Sequence, residues 1–476
     1  MNGRMICRVL GTVLLGIAVL MLIPLAVCLV YGESIAPFAV TAGLTAAIGL
    51  ALYSVKVKSR DMFAREGFVT VSLAWLVLSL LGALPFVISG DMPSYVDAVF
   101  ETVSGFTTTG ASVAADVESM SRGCLFWRLF THWLGGMGVL VFIMAVLPMD
   151  SAHSMHIMRA EVPGPTVGKL VPRIRQTAKI LYLIYAALTA AEAVLLMLGG
   201  MSFYDAILHA FATAGTGGFS TRAASIAAFD SAYIEMVIAV FMVLFGVNFN
   251  LYFLILIGKA RDALKSEELH VYLCIIAAAT AAITAGIAKV YGGTLTAVRH
   301  AFFNVSSIMS TCGFGTQDFT KWPTYCQWIL VLLMFCGGCA GSTAGGMKLA
   351  RVMMLIKNAA ANIRTAAHPR QVQRVQLEGK RVDDTTLRSA DAYFVLYMLL
   401  LVLVTLFISF DGYDLATNFT AAISCLSNIG PGMSLVGPAG SFAIFSPASK
   451  LVLSAAMLLG RLEIFPLVVL LSRSHK

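Results

Sequence analysis

Ten apolar runs, near residues 9–30, 36–55, 68–90, 125–147, 178–200, 232–257, 270–291, 326–356, 391–410 and 448–471, limit what this chain can fold into more than any other feature. About 20 apolar residues cross ~30 Å of hydrocarbon, and a segment in lipid must satisfy its own backbone, so each run is expected to be a helix. Only 12% of the residues are charged and 58% are hydrophobic, which excludes a soluble fold. The first run follows the basic flank MNGRMICR. Its core is longer than that of a signal peptide, and Val27 is too bulky for a lipoprotein site at Cys28, so a retained helix is expected.

Ten spans place both termini on one face. Of the 33 Lys and Arg residues, 25 fall in the N-terminus, 56–66, 148–179, 258–269, 348–388 and the C-terminus. Seven fall on the opposite face (Arg122, Arg128, Arg222, Lys289, Arg299, Lys321 and Lys450), and Arg461 is the one basic residue placed deep in a span. The positive-inside rule therefore expects cytoplasmic termini, and it accounts for the net charge of +8 without nucleic acid.

The last eight runs form four pairs, each separated on the outer side by a shorter, moderately apolar stretch that ends in small residues. The first reads YVDAVFETVSGFTTTGAS and the second FYDAILHAFATAGTGGFS; in both, an aspartate (Asp97, Asp205) precedes a glycine (Gly110, Gly218) by 13 residues. VRHAFFNVSSIMSTCGFGT and ATNFTAAISCLSNIGPGM repeat the pattern, and the glycines at 110, 218, 313 and 430 lie 108, 95 and 117 residues apart. That spacing suits an internal repeat of span, dipping helix and span. A dozen apolar residues cannot cross the bilayer, so each stretch is expected either to lie at the interface or to enter and return by the same, outer face.

Four such returns around one axis can turn backbone carbonyls inward in place of the water a cation loses. Glycine suits that position because it adopts backbone angles closed to other residues and leaves the lumen empty. The four strips are Thr108-Thr109-Gly110-Ala111-Ser112, Thr216-Gly217-Gly218-Phe219-Ser220, Thr311-Cys312-Gly313-Phe314-Gly315 and Asn428-Ile429-Gly430-Pro431-Gly432. Aligning TGGFST on TCGFGT puts Gly218 in register, and a shift of one residue would put Gly217 there.

The eighth run would measure about 46 Å as one helix. Its middle, CGGCAGSTAGGMK, holds Gly337, Gly338, Gly341, Gly345 and Gly346, each costing a helix about 1 kcal/mol relative to alanine, so a break is expected there. The run lacks the GK[ST] of a phosphate loop, so it does not read as a nucleotide site. Arg461 costs at least ~2.5–3.5 kcal/mol in lipid unless it faces a polar interior. Two readings fit it, a structural pair with Glu463 or a positive charge beside a permeation path. Other motifs carry less. Cys336 and Cys339 form a CxxC with no second pair to complete a zinc site, and His153 with His156 is too sparse a pattern to be given a role. Asp91, Asp97, Asp116, Glu118, Asp205, Asp318, Asp411 and Asp414 lie on the outer side, where they either concentrate cations or serve as loop and helix-start residues, with Asp97 and Asp205 as caps.

These units, with FTTTG, TGGFST, TCGFGT and SNIGPG as their strips and GRLEIFP near the C-terminus, resemble the Trk/Ktr/HKT superfamily of cation transporters over essentially the whole chain. The two leading spans and GRLEIFP are most similar to the bacterial Trk-type potassium uptake subunit. The resemblance implies an all-α polytopic membrane protein of four pseudo-symmetric helix–pore loop–helix repeats around one pore plus two extra N-terminal transmembrane helices. The expected divisions are 1–66 for the leading pair, then repeats at 67–177, 178–268, 269–388 (with the broken inner helix and a basic cytoplasmic loop) and 389–476.

The resemblance further implies a potassium filter at Thr108, Thr109, Gly110, Thr216, Gly217, Gly218, Thr311, Cys312, Gly313, Asn428, Ile429 and Gly430. Serine at the first filter glycine accompanies sodium transport in plant relatives, so Gly110 favours potassium. An intramembrane gate would comprise Gly337, Gly338, Gly341, Ser342, Thr343, Ala344, Gly345 and Gly346, with Arg461 as a barrier. K+ would be the transported ion, with no nucleotide or organic cofactor in this chain and no enzyme activity. Expected partners are membrane lipid, a second copy in a homodimer, and a cytosolic TrkA-like nucleotide-binding ring docking on 148–179 and 348–388, in a bacterial inner membrane. A Ktr-type sodium-dependent transporter and the ion-binding subunit of a potassium-pumping ATPase are the alternatives.

Overall fold

The computed structural model describes residues 2–57, 63–138, 174–368, 370 and 374–467. His153, His156, most of the 148–179 loop and the last residues of the chain lie outside them. The described chain is helical apart from loops and one two-stranded hairpin, Gln376–Leu377 with Lys380–Arg381.

Among the described residues, six helices are long and apolar enough to cross a membrane: Gly3–Tyr31, Ala36–Tyr53, Arg65–Ser89, Ala178–Leu198, Glu267–Ile287 and Asp384–Asp411. Their composition is that of a multi-pass membrane protein. The first two lie side by side, with Gly11 so close to the second helix that a Cβ there would come within 2.7 Å of the Gly49 carbonyl oxygen. Small residues allow such contact where lipid supplies no hydrophobic drive for helix association.

The described parts of the other four apolar runs hold shorter helices; the break in the eighth run is the one its glycines lead us to expect, and the bend in the sixth was not expected. These runs form the inner helices Arg122–Gly136, Ala232–Phe245, Thr324–Cys336 and Pro447–Arg461. The run over 232–257 is two helices, Ala232–Phe245 and Phe249–Leu256, bent by 88°. The freed carbonyls at the bend are taken from elsewhere: Phe245 O accepts from the Thr343 hydroxyl at 3.2 Å and Gly246 O from Cys339 N at 2.9 Å. A bend at membrane depth persists only when other protein groups satisfy it in this way.

Four short helices, Tyr95–Phe106, Phe203–Gly215, Thr294–Met309 and Leu415–Ser427, run 12, 13, 16 and 13 residues, too short to span. Each packs between the inner helix that follows it and the inner helix of the preceding repeat, and the first closes the circle against Pro447–Arg461. The cyclic order buries most side chains of these helices, polar ones included, while residues of the first turns such as Phe203, Leu295 and Leu415 stay exposed. Their first turns are capped by Ser94, Ser202 and Asp414 in the first, second and fourth repeats. Asp97 and Asp205 are therefore not the capping residues. Asp97 pairs with the buried Lys450 at 2.6 Å, and Asp205 accepts from the Thr221 hydroxyl at 2.7 Å.

Candidate functional site

All four short helices end in the same backbone motif. The residue after the helix, or two after it in the first and third repeats, turns left-handed: Thr108, Thr216, Thr311 and Asn428 have φ of 55, 55, 58 and 55°. The next residue returns its amide to the helix: Thr109 N, Gly217 N, Cys312 N and Ile429 N donate to Ser104 O, Ala212 O, Ser307 O and Ser424 O at 2.8–2.9 Å. A glycine with positive φ follows, at Gly110 (80°), Gly218 (73°), Gly313 (87°) and Gly430 (106°). The repetition sets the register of the second strip, with Gly218 equivalent to the other three glycines and Gly217 equivalent to Thr109, Cys312 and Ile429.

The strips meet in a closed ring. A Cβ on Gly110 would fall 1.9 Å from Gly217 O, one on Gly218 2.1 Å from Cys312 O, one on Gly313 2.0 Å from Ile429 O, and one on Gly430 2.8 Å from Thr109 O. Each glycine thus abuts the carbonyl one position before the glycine of the next strip, and the fourth returns to the first. The residues preceding the glycines are fully buried, yet among the described residues no donor meets the carbonyls of Thr108, Thr109, Thr216, Gly217, Thr311, Cys312, Asn428 or Ile429. Buried carbonyls without donors are costly, and a ring of them is chemically fit to receive a desolvated cation. A cavity of about 240 Å³ opens onto all four glycines, Ser112 and Ser220.

A buried ion pair braces two of the strips. Arg128 Nε lies 2.6 Å from Glu101 Oε1, the Glu101 carboxylate accepts from Ser112 Oγ and Val113 N, and Arg128 Nη1 donates to Ser220 O at 3.0 Å. Arg128 also lies 3.6 Å over the Phe219 ring. The count by face had put Arg128 on the outer side; it is 3% exposed within an inner helix, so Arg461 is not the one buried arginine. A signal was present in the sequence, since Glu101 stands two turns into an apolar dipping helix and needs a cation. We expect Arg128→Ala to cost about 3–5 kcal/mol by leaving a buried carboxylate uncompensated. The loss would read as a fall in melting temperature in detergent, with Glu101→Gln in the same chain recovering part of it.

His132 supports the second strip from the side. Its Nδ1 is 2.8 Å from Gly105 O, its Nε2 accepts from Phe219 N at 3.3 Å, and its ring packs against Gly217, where a Cβ would lie 2.3 Å from the imidazole. The acidic residues of the outer side are engaged structurally. Ser121 holds Asp91, Asp116 caps its own turn, Glu118 faces Arg222, Lys321 meets Asp318, and Ser446 N donates to Asp411. The Thr417 hydroxyl and amide hold the Asp414 carboxyl below its usual range.

Beneath the ring lies the break in the third inner helix. The helix stops at Cys336 and resumes at Leu349, and Gly337, Gly341, Gly346 and Lys348 all have positive φ. Gly345 N donates to Thr311 Oγ1 at 2.6 Å, and a Cβ on Gly345 would lie 2.4 Å from Ser427 O, so the loop presses on the left-handed residues of the third and fourth strips. Ser342, Thr343 and Ala344 are buried there, Gly338 sits against Ala344, and Lys348 Nζ, 2% exposed as a residue, reaches Ser342 O and Ala344 O. Sequence reasoning counted Lys348 only as a loop cation, because nothing in a linear pattern reveals that its chain doubles back. The Arg461 guanidinium bonds Thr343 O at 2.9 Å and Gly135 O and Gly136 O at 2.5 and 2.6 Å, while Glu463 pairs with Arg351 at 2.7 Å. Arg461 thus ties the loop to the end of the first inner helix.

No group of three or more His, Cys, Asp or Glu side chains suited to a metal occurs among the described residues, and Cys336 and Cys339 are free thiols. A carbonyl cage needs neither.

A family model described as TrkH, cation transport protein, matches residues 38–270 and 268–476. The chain is 37% identical over 480 residues to the Trk system potassium uptake protein TrkH of Escherichia coli K12, covering 99% of this chain and 98% of that protein. It is 36% identical over 463 residues to TrkG of the same organism, covering 95% and 94%. The crystal structure of the potassium transporter TrkH from Vibrio parahaemolyticus superposes with a TM-score of 0.89 at 34% identity, covering 99% of each chain.

Proposed function

Because this chain belongs to the TrkH family of cation transport proteins, we propose that its ring of four glycine strips is a potassium filter and that the protein takes up K+ across a bacterial inner membrane. The observation that carries this reading is the closed contact of each filter glycine with the next strip's donor-free carbonyl. Thr108, Thr109 and Gly110 with their counterparts in the other strips supply the oxygens that replace hydration.

The loop from Gly337 to Gly346 is the gate. It sits beneath the filter, it is held to the ring through Gly345 and Thr311, Lys348 Nζ braces Ser342 O and Ala344 O, and Arg461 adds positive charge where a cation would leave. Both termini and the basic segments 56–66, 148–179, 258–269 and 348–388 face the cytoplasm. A cytosolic nucleotide-binding ring docks on that face, and two copies of the chain pair in the bilayer, as the resemblance to Trk-type subunits implies; the relatives are named as parts of a Trk system.

The test is flux through the purified chain in liposomes, comparing Rb+ with Na+. Rb+ is expected to pass in preference to Na+ in the unaltered protein, and serine at each of the four glycines in turn is expected to narrow that preference. Equal Rb+ and Na+ flux in the unaltered protein, or four serine variants that behave like it, removes the filter reading.

A further inference from the structure

The polar contacts beneath the gate converge on two glutamates that the sequence pattern does not single out. The hairpin Gln376–Leu377 with Lys380–Arg381 turns through Glu378 and Gly379, whose φ values are 53 and 69°. A left-handed L residue costs about 1–2 kcal/mol. Glu378 recovers it through three bonds, with Oε1 accepting from Ser266 Oγ at 2.8 Å and Glu268 N at 3.1 Å, and Oε2 from Glu267 N at 3.1 Å. Two of these donors are first-turn amides of the span Glu267–Ile287, which have no partner within their own helix. Glu378 N in turn donates to Glu267 Oε2 at 3.2 Å, and Lys357 Nζ joins the Glu267 carboxylate to Gln376 O. The hairpin is therefore fastened to the start of that span.

Glu268 faces the other way. It is 6% exposed, and its Oε1 accepts from Ala340 N at 2.7 Å and from Ala350 N at 3.0 Å. Ala340 precedes the inner part of the gate loop, and Ala350 lies in the first turn of the helix after it. One carboxylate oxygen thus holds both feet of the loop together, and the helix turn that carries it is capped from the hairpin.

We propose that Glu268 is a positioning residue that latches the gate loop shut, and that Glu378 sets the latch from the hairpin. The proposal rests on reading 337–346 as the gate. Displacing the hairpin uncaps the first turn of Glu267–Ile287, the turn frays, Glu268 withdraws, and the amides of Ala340 and Ala350 are released together. The bond from Leu349 N to Gly338 O at 3.0 Å then remains between the feet, one contact in place of three, and the feet separate more readily with the filter strips left as they are.

The experiment measures Rb+ and Na+ flux into liposomes containing the full chain and no other protein. Glu268→Ala is expected to raise basal Rb+ flux at least tenfold with the Rb+ to Na+ ratio unchanged, and Glu378→Ala about threefold. Glu268→Gln is expected to stay near the unaltered chain, because its amide oxygen can accept from both amides. A structural role alone lowers the melting temperature without opening the pathway. If Glu268→Ala does not fold, Glu378→Ala carries the test. Unchanged flux in the alanine variants, loss of the Rb+ to Na+ ratio together with a rise in flux, or a glutamine variant as leaky as alanine overturns the latch. A chain lacking Ser342 to Gly345 separates the two readings. If that deletion raises flux and Glu268→Ala does not, the latch fails while the gate stands, and if neither raises it the gate reading itself fails.

Discussion

Gly313→Ser is expected to abolish the preference for Rb+ over Na+ while leaving a folded protein in the membrane. Two costs act at one atom. The serine Cβ would arrive 2.0 Å from Ile429 O and 2.8 Å from the Pro431 ring, so the fourth strip must retreat by more than 1 Å. Serine at φ of +87° also carries roughly 1–3 kcal/mol of backbone strain. Only the carbonyl position separates two monovalent ions, so a displacement of that size is expected to reduce selectivity at least tenfold, about 1.4 kcal/mol. Gly110 and Gly218 predict the same, with Cβ contacts of 1.9 and 2.1 Å to the next carbonyl. Gly430 differs in kind. Its Cβ would lie 2.8 Å from Thr109 O, a milder clash, while its φ of +106° is outside the left-handed well that serine tolerates. The fourth variant should therefore lose more stability for each unit of selectivity lost. Liposome flux ratios set beside detergent melting temperatures would read both axes, and a Gly313 variant with the original ratio would contradict the ring geometry.

The elements visible in the sequence were those written in short-range pattern. The 13-residue interval from Asp97 to Gly110 and from Asp205 to Gly218, repeated in looser form twice more, gave the repeat because each dipping helix and its glycine are adjacent in the chain. The break between Cys336 and Leu349 was legible because five glycines crowd into ten residues. What the pattern concealed depends on partners distant in sequence. The bend at 246–248 hides in a continuous apolar run, since the groups that satisfy it, Cys339 and Thr343, lie 93 and 98 residues on, Thr343 bonding Phe245 O and Cys339 bonding Gly246 O. Glu101 and Arg128 fall in different elements, so a tally of basic residues by loop could not find their pairing. Glu268 reads as a helix-start residue until the fold places Ala340 and Ala350 against it. The choice between Gly217 and Gly218 needed backbone angles, which only the positive φ of Thr216 and Gly218 supplies.

Arg461→Ala is expected to raise basal Rb+ flux about thirtyfold or more, the second large effect. Charge alone gives much of it. A univalent cation passing about 8 Å from a guanidinium meets about 2 kcal/mol of repulsion at an effective dielectric of about 20, which corresponds to roughly thirtyfold in rate. The remainder is mechanical. The guanidinium fastens Thr343 O of the proposed gate loop to Gly135 O and Gly136 O at the end of the first inner helix, and its removal leaves three buried carbonyls that attract water beneath the ring. Lysine separates the contributions, because an ammonium keeps the charge but lacks the planar fork that spans both helix end and loop. Arg461→Lys is therefore expected to leak at an intermediate rate. Lysine equal to arginine would assign the barrier to charge alone, and lysine equal to alanine would assign it to the tie. An alanine variant no leakier than the unaltered chain would mean that the loop stays shut without Arg461, and the closed state would then rest on Gly345, Lys348 and Glu268.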